Sequence, residues 1–301
     1  MKPFFIVGPT ASGKSDLAAE VASRTNAEVV GADAYQIYRG LDLLTAKPEP
    51  TTLARVPHHL IGAVPLAEEM SALRFGELAA AAIAGIHARR KNVIVVGGSG
   101  LYLRALTEGF SPMPAANWKL RERLAQHSLG ELHTWLRRLD PETAHTIDAA
   151  NPRRVARAVE ICLTSGKPAS SARKQPTRAC TDAADGVFVF RDREELYCRI
   201  DARVREIFAR GVVDEVRGAE GIGATAGQTL GLREIRQLLA GEIREAECIA
   251  AMQQATRRYA KRQLTWFRRQ SNFELLNLSE RTAAEAIEVI ERKARLPFAH
   301  D

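Results

Sequence analysis

Three short apolar runs mark the first third of the chain: FFIV (Phe4–Val7), AEVVGADA (Ala27–Ala34) and NVIVVGGSG (Asn92–Gly100). Each lacks the polar-out alternation of a half-exposed strand, so each reads as a buried strand of a parallel sheet. Between them the apolar period lengthens to that of a helix. SDLAAEVASR sets Leu17, Val21 and its alanines on one face, and the stretch Leu73–Arg90 is likewise helical. Strands alternating with helices predict an α/β fold with a parallel sheet, whose ligands gather at the carboxyl ends of the strands.

The pattern changes after Phe110. SPMPAANW is a proline-containing break, and from about Lys119 to Lys167 the chain is helical, charged and poor in strands. SSARKQPTRACTDAADG reads as a loop, VFVF (Val187–Phe190) as a returning strand, and long helices follow to the end. The expected layout is an α/β core made of residues 1–111 and 187–301, with helices on both faces of its sheet, interrupted by a helical insertion domain at 112–186. No internal repeat appears.

Composition narrows the class. With 301 residues and 46% hydrophobic content the chain can bury a sizeable core. No apolar run approaches a membrane span, and MKPFFIVGPT has no signal-peptide h-region before its first loop. A cytoplasmic protein without membrane association is expected. The four cysteines, Cys162, Cys180, Cys198 and Cys248, show no CxxC spacing, which favours reduced thiols over a metal or disulfide framework. His58 and His59 are adjacent, point in different directions, and have no further ligand cluster nearby. A net charge of +7 permits a polyanionic partner without requiring one.

The chemistry starts at GPTASGKS, residues 8–15: glycine, four residues, then Gly13-Lys14-Ser15. This is the P-loop spacing. Glycines let successive backbone N–H groups turn inward, the following helix offers its positive end, Lys14 supplies a point charge, and Ser15 offers a hydroxyl to Mg²⁺. The motif lies between an expected strand and an expected helix, the context it needs. A hydrolytic P-loop enzyme also ends an apolar strand in a metal-holding aspartate, yet NVIVV ends in Gly97-Gly98-Ser99. The other candidate, Asp33, follows a different strand; it suits a general base or a Mg²⁺ ligand, and equally a turn or helix-capping aspartate.

Basic residues concentrate in two places. TRRYAKRQLTWFRRQ (Thr256–Gln270) carries six of them, with no acid between Glu247 and Glu274. On a helix Arg258, Arg262, Thr265 and Arg269 share one face, and Met252, Ala255, Tyr259 and Trp266 form a neighbouring stripe suited to packing. NPRRVARAVE adds Arg153, Arg154 and Arg157 at helical spacing. Two basic surfaces in separate regions favour a large polyanion such as a shaped RNA, although solvated basic helices would show the same charge.

Taken together, the stations GPTASGKS, GADAYQIYRGLDLLTAKP, HHLIGAV, VVGGSGLYLRAL, NPRRVARAVEICLTSGKP, LYCRIDARVREIF and TRRYAKRQLTWFRR resemble those of the tRNA dimethylallyltransferases almost end to end. The resemblance implies a P-loop-type core and transfer of a dimethylallyl group from dimethylallyl diphosphate to the exocyclic N6 amine of an adenosine beside the anticodon, with diphosphate released. It implies that Gly8, Pro9, Thr10, Ala11, Ser12, Gly13, Lys14 and Ser15 cradle the donor diphosphate, with Mg²⁺ at Ser15. Asp33, Thr10, Lys14 and Arg203 are then catalytic, Asp33 as general base, and Arg199 is a second candidate for diphosphate support. Asp33, Ala34, Tyr35, Gln36, Ser99, Arg121, Arg153, Arg154, Val155, Ala156, Arg157, Gln228, Thr229, Leu230, Gly231, Leu232 and Arg233 fall where the family touches tRNA. Arg258 and Arg262 join them from the basic helix. The implied partner is the anticodon stem-loop, and a monomer is the default. Three departures stand out: Ser99 where the family commonly has threonine, Leu232 where it often has an aromatic residue, and Ser15 in place of the commoner threonine. Competing readings are a P-loop small-molecule kinase, a nucleic-acid-binding NTPase switch, and a prenyltransferase acting on a free adenine nucleotide.

Overall fold

The structure, a computed structural model, describes residues 2–110, 113–114, 116–173, 184–270 and 273–294. The chain divides into two compact units, Met1–Thr107 with Thr181–Asp301, and Glu108–Cys180.

The first unit is built on a six-stranded sheet in which every pairing is parallel. Its strands are β1 (Phe4–Val7), β2 (Ala27–Ala32), β3 (His58–His59), β4 (Asn92–Gly97), β5 (Gly186–Phe190) and β6 (Glu274–Asn277), in the order β3-β2-β4-β1-β5-β6. Helices α1 (Lys14–Arg24), α2 (Pro50–Leu53), α3 (Ala72–Ala88) and α4 (Gly100–Thr107) separate the early strands. The second unit holds α5 (Trp118–Leu124), α6 (Leu129–Leu139), α7 (Pro141–Thr146), α8 (Pro152–Ser165) and α9 (Ala169–Arg173). The first unit resumes with β5, then α10 (Arg193–Ala209), α11 (Val212–Arg217), α12 (Leu232–Leu239), α13 (Glu245–Gln270), β6 and α14 (Ala283–Ala294).

Alternation along the strands explains the layers. Phe5, Val7, Val30, Val93, Val95 and Phe188 face a core shared with Phe75, Ile86, Tyr102 and Phe267. Phe4, Ile6, Val29, Ile94, Val187 and Val189 face the opposite core, with Leu17 and Val21 of α1 and Ile287 and Ile290 of α14. Because both faces are covered, the strands carry apolar residues throughout rather than at every second position. Each large aliphatic side chain so buried contributes about 1.5–3 kcal/mol.

Two strands were not expected. β3 has two residues, and β6 lies on the sheet edge with Glu274 and Leu275 exposed, so neither makes an apolar run. The run of helices expected from Phe190 to the end is therefore broken by β6. β2 stops at Ala32, which leaves Asp33 in the loop beyond the strand end. Most of the loop expected over 170–186, with Cys180, lies outside the described residues, as does Pro112.

The helical unit closes on its own small core of Leu124, Leu132, Leu136, Val155, Val159 and Ile161. Helix α6 starts with a capping box between Ser128 and Glu131. The side chain of Asn151 caps α8 by accepting from the Arg154 amide, and Pro152 takes the first helical position.

Candidate active site

β1 ends at Val7 and the chain turns at once into the P-loop. Gly8 donates its N–H to Gly97 O at 3.1 Å, which ties the root of the loop to the end of β4. A side chain at Gly8 would place its Cβ 2.3 Å from Val189 O, so only glycine fits there. Gly13 takes φ +94° at the start of α1 and supplies no side-chain cap. The first amides of α1 therefore keep their N–H groups uncapped, a ready seat for an anion. Ser12 is fully buried, and its Oγ has no partner among the described residues. It is a spare hydroxyl beside Gly8.

Cationic side chains converge on the same loop from far along the chain. Arg203 donates to Thr10 Oγ1 at 2.6 Å, Arg199 to Ala11 O at 2.9 Å, and Arg191 to Ser12 O at 2.9 Å. Arg191 is anchored in turn on Glu195 at 2.6 Å. Lys14 Nζ donates to Pro9 O at 3.3 Å. Burial pulls the Lys14 pKa down to about 8; the Asp33 carboxylate opposes this and Arg203 adds to it. Burial likewise lowers Arg203, against the pull of Asp33. Such a concentration of positive charge with little negative charge inside it is what a polyphosphate would neutralise.

Asp33 performs the turn role foreseen as the alternative. Its Oδ1 accepts from the amides of Tyr35 at 2.9 Å and Gln36 at 3.3 Å. It also lines a cavity of about 60 Å³ with Thr10, Arg203, Tyr35, Thr229 and Tyr259, together with the aliphatic side chains of Leu44, Val204, Ile207, Leu230 and Met252. The lining thus combines polar groups, one of them from the P-loop, with aliphatic ones. Its threonine hydroxyls are already engaged: Thr45 donates to Leu41 O at 2.7 Å, Thr229 to Ala226 O at 2.7 Å and Thr256 to Met252 O at 2.8 Å.

Ser99 sits at the start of α4, and its Oγ accepts from the Ala34 amide at 2.9 Å. Tyr259 hydrogen-bonds to the same serine; burial, followed by the nearby Asp33 carboxylate, raises its phenol pKa. The Tyr259 ring lies 6.4 Å from Tyr35 and beneath the Arg262 guanidinium at 5.6 Å.

Several residues expected at tRNA have other engagements in the fold. The side chains of Val155, fully buried in the helical core, and Leu232, 1% exposed in the core beside Met252, turn inward and offer no side-chain surface to RNA. Arg121 and Arg157 hold the buried Glu160 at 2.9 and 2.7 Å, and Arg157 also donates to Pro114 O at 2.6 Å. Arg121 further lies over the Trp118 ring. The Gln36 amide is spent on Thr45 O at 3.1 Å and Ala46 O at 2.8 Å. Arg153, Arg154, Gln228, Arg233, Arg258 and Arg262 are exposed, Ala34 and Ala156 are half-buried, and Gly231 is buried.

The packed stripe of α13 also differs from the expected one. Cys248, Met252, Thr256, Ala260, Gln263 and Phe267 are the buried positions, and Tyr259 and Trp266 are only half-buried. Arg191, Tyr259 and Gln263 are site residues the sequence reading missed. Only Arg191 carried a usable signal, since it directly follows a parallel strand whose carboxyl end faces the site.

Among the described residues no cluster of three or more His, Cys, Asp or Glu is placed to hold a metal. Ser15, the second residue of α1, fits the way Mg²⁺ is usually held, by one or two protein oxygens with substrate phosphates and water.

Comparison with known proteins supplies the remaining information. The profile of the IPP transferase family matches residues 36–270. The tRNA dimethylallyltransferase of Akkermansia muciniphila is 42% identical over 269 residues, covering 88% of this chain and 90% of that one. The solved tRNA isopentenylpyrophosphate transferase of Bacillus halodurans aligns with 34% identity and a TM-score of 0.71, over 97% of this chain and 94% of the other. A eukaryotic dimethylallyltransferase solved acting on tRNA aligns with a TM-score of 0.78 and 26% identity, over 99% and 82% of the two chains. With its family profile matched over most of its length and a P-loop crowded by arginines at the carboxyl ends of a parallel sheet, the chain belongs to the IPP transferase family, the tRNA dimethylallyltransferases.

Proposed function

We propose that the cavity beside the P-loop holds dimethylallyl diphosphate, with the diphosphate on Gly8–Ser15 and the five-carbon group among Leu44, Val204, Ile207, Leu230 and Met252. The protein is a tRNA dimethylallyltransferase, and this reading gives its residues their parts. The observation that carries it is the mixed lining of the cavity, in which the P-loop residue Thr10 and its partner Arg203 stand with Asp33 and a set of aliphatic side chains. A nucleotide would place a polar base and sugar against those aliphatic side chains.

In the reaction the N6 lone pair of the adenosine forms a bond to the terminal allylic carbon. The C–O bond to diphosphate breaks with its electron pair, and one amine proton passes to Asp33. Charge grows on the leaving diphosphate, where Lys14, Arg203 and the α1 amides can stabilise it most. Thr10, held by Arg203, orients the near side of the loop. Mg²⁺, bound through Ser15 and the phosphates, would neutralise part of the same charge. The acceptor base must leave its stack to reach Asp33. Arg153 and Arg154 on the helical unit and Arg258 and Arg262 on α13 are proposed to grip the anticodon stem-loop through phosphates.

A competition assay tests the ligand assignment. A non-reactive thiolo analogue of dimethylallyl diphosphate should bind and be displaced by unlabelled donor, while ATP at the same concentration displaces it poorly. ATP binding tighter than the analogue would favour the kinase reading.

The Lys14 pKa makes a further prediction. The donor diphosphate prefers the protonated amine, which in the free enzyme is lost as pH rises through about 8. The value of kcat/KM for the donor, which reports the free enzyme, should therefore fall above that pH. A profile level from pH 7 to beyond 9 would contradict it. For the RNA contacts, replacing Arg258 and Arg262 together with alanine should weaken tRNA binding and shallow its log–log salt slope by roughly 1 to 2. An unchanged slope would leave that helix face without a phosphate contact.

A further inference from the structure

Gln263 lies in the middle of α13, only 5% exposed, amid a helix otherwise read as basic surface and apolar stripe. Its side-chain amide uses both ends. Oε1 accepts the Thr10 N–H of the P-loop at 2.9 Å, and Nε2 donates to Gly98 O at the end of β4 at 2.9 Å. The residue after Gly98 is Ser99, whose Oγ accepts the Ala34 N–H at 2.9 Å, and Ala34 follows Asp33. The root of the donor loop is already tied to β4 by the Gly8–Gly97 backbone bond, and the Gln263 amide adds a second tie from Thr10 to Gly98, next to the loop pair that carries Asp33.

We propose that Gln263 is a positioning residue that sets the separation between the donor diphosphate loop and the loop bearing Asp33. Nucleophile and allylic carbon must meet at near-contact distance and in line, and a displacement of about 1 Å can cost about a hundredfold in rate. A bidentate amide fixed between Thr10 N–H and Gly98 O holds that distance before either substrate arrives. The Thr10 amide, being spent on Gln263, is not one of the amides that receives the diphosphate. Its hydroxyl faces Arg203 instead. The inference rests on the proposed pairing of Asp33 with a donor on the P-loop.

The test is a kinetic comparison of Gln263→Leu, Gln263→Glu and Gln263→Met with the unaltered protein, using undermodified tRNA and dimethylallyl diphosphate. Glutamate keeps the length and an oxygen for Thr10 N–H but loses the hydrogen that Gly98 O accepts; leucine and methionine lose both bonds. Expected is a fall in kcat of about tenfold for Gln263→Glu and about a hundredfold for Gln263→Leu and Gln263→Met, with both KM values held within about threefold. Single-turnover rates should fall in step with kcat. A residue that only stabilised the fold would lower the melting temperature and leave kcat of the folded enzyme alone. If Gln263→Leu fails to fold, the glutamate and methionine variants carry the test. Unchanged kcat in the folded variants overturns the proposal, and so does a raised KM for tRNA with kcat intact, which would make Gln263 an RNA contact. Failure of the underlying reading is distinguishable: it shows as Asp33→Asn transferring at the normal rate, whatever the Gln263 variants do.

Discussion

Asp33→Asn lowers kcat by about 10³-fold while changing the KM of either substrate by less than about threefold. The asparagine is the informative substitution because Asp33 has two jobs. Its Oδ1 accepts the Tyr35 and Gln36 amides, and an asparagine oxygen can do the same. What asparagine cannot do is take a proton from the attacking amine. Asp33→Ala removes both functions, so any additional loss in alanine over asparagine measures the turn. Steady-state rates with separate titrations of tRNA and donor make the distinction. A parallel loss of tRNA affinity in Asp33→Asn would sink the general-base role and leave an aspartate that merely shapes the loop.

Lys14→Ala lowers kcat/KM for the donor by about 10²–10³-fold and leaves tRNA affinity unchanged. The ammonium lies among P-loop atoms, bonded to Pro9 O and close enough to Asp33 and Arg203 for each to affect its ionisation. Its effect should grow toward the transition state, because the leaving diphosphate gains charge as the C–O bond breaks. Arg203 and Arg199 remain in the variant, which is why some transfer should survive. Equal rates in Lys14→Ala and the unaltered protein would show that the leaving group departs elsewhere.

The parallel sheet and the P-loop were legible because their signals are local. Unbroken apolar runs, a helical period and a fixed glycine spacing all lie within a few residues of one another. What assembles around the loop was not legible in the same way. Gln263 is 253 residues from Thr10, and Arg191 is 179 from Ser12. The α13 stripe was displaced for a related reason: two of its buried members, Thr256 and Gln263, are polar, and a scan for apolar residues passes over them. Each is satisfied in place, Thr256 on Met252 O and Gln263 on two backbones. Val155 and Leu232 show the opposite limit. Both belong to contiguous stretches that a family resemblance implies as a whole, and successive side chains of a helix cannot all face one ligand. In α8, Arg153 and Arg154 are exposed while Val155 turns inward; in α12, Arg233 is exposed beside the buried Leu232.

On this reading the P-loop carries a prenyl diphosphate whose five-carbon group is delivered to tRNA. Incubation of the protein with Mg²⁺, undermodified tRNA and dimethylallyl diphosphate labelled in the allylic group, followed by nuclease digestion and nucleoside separation, tests it most directly. Expected is label on the N6 amine of an adenosine adjacent to the anticodon, with one diphosphate released per label transferred. Label found on free adenine nucleotide but absent from tRNA, or no label in any acceptor while the γ-phosphate of ATP passes to a small molecule, would contradict it.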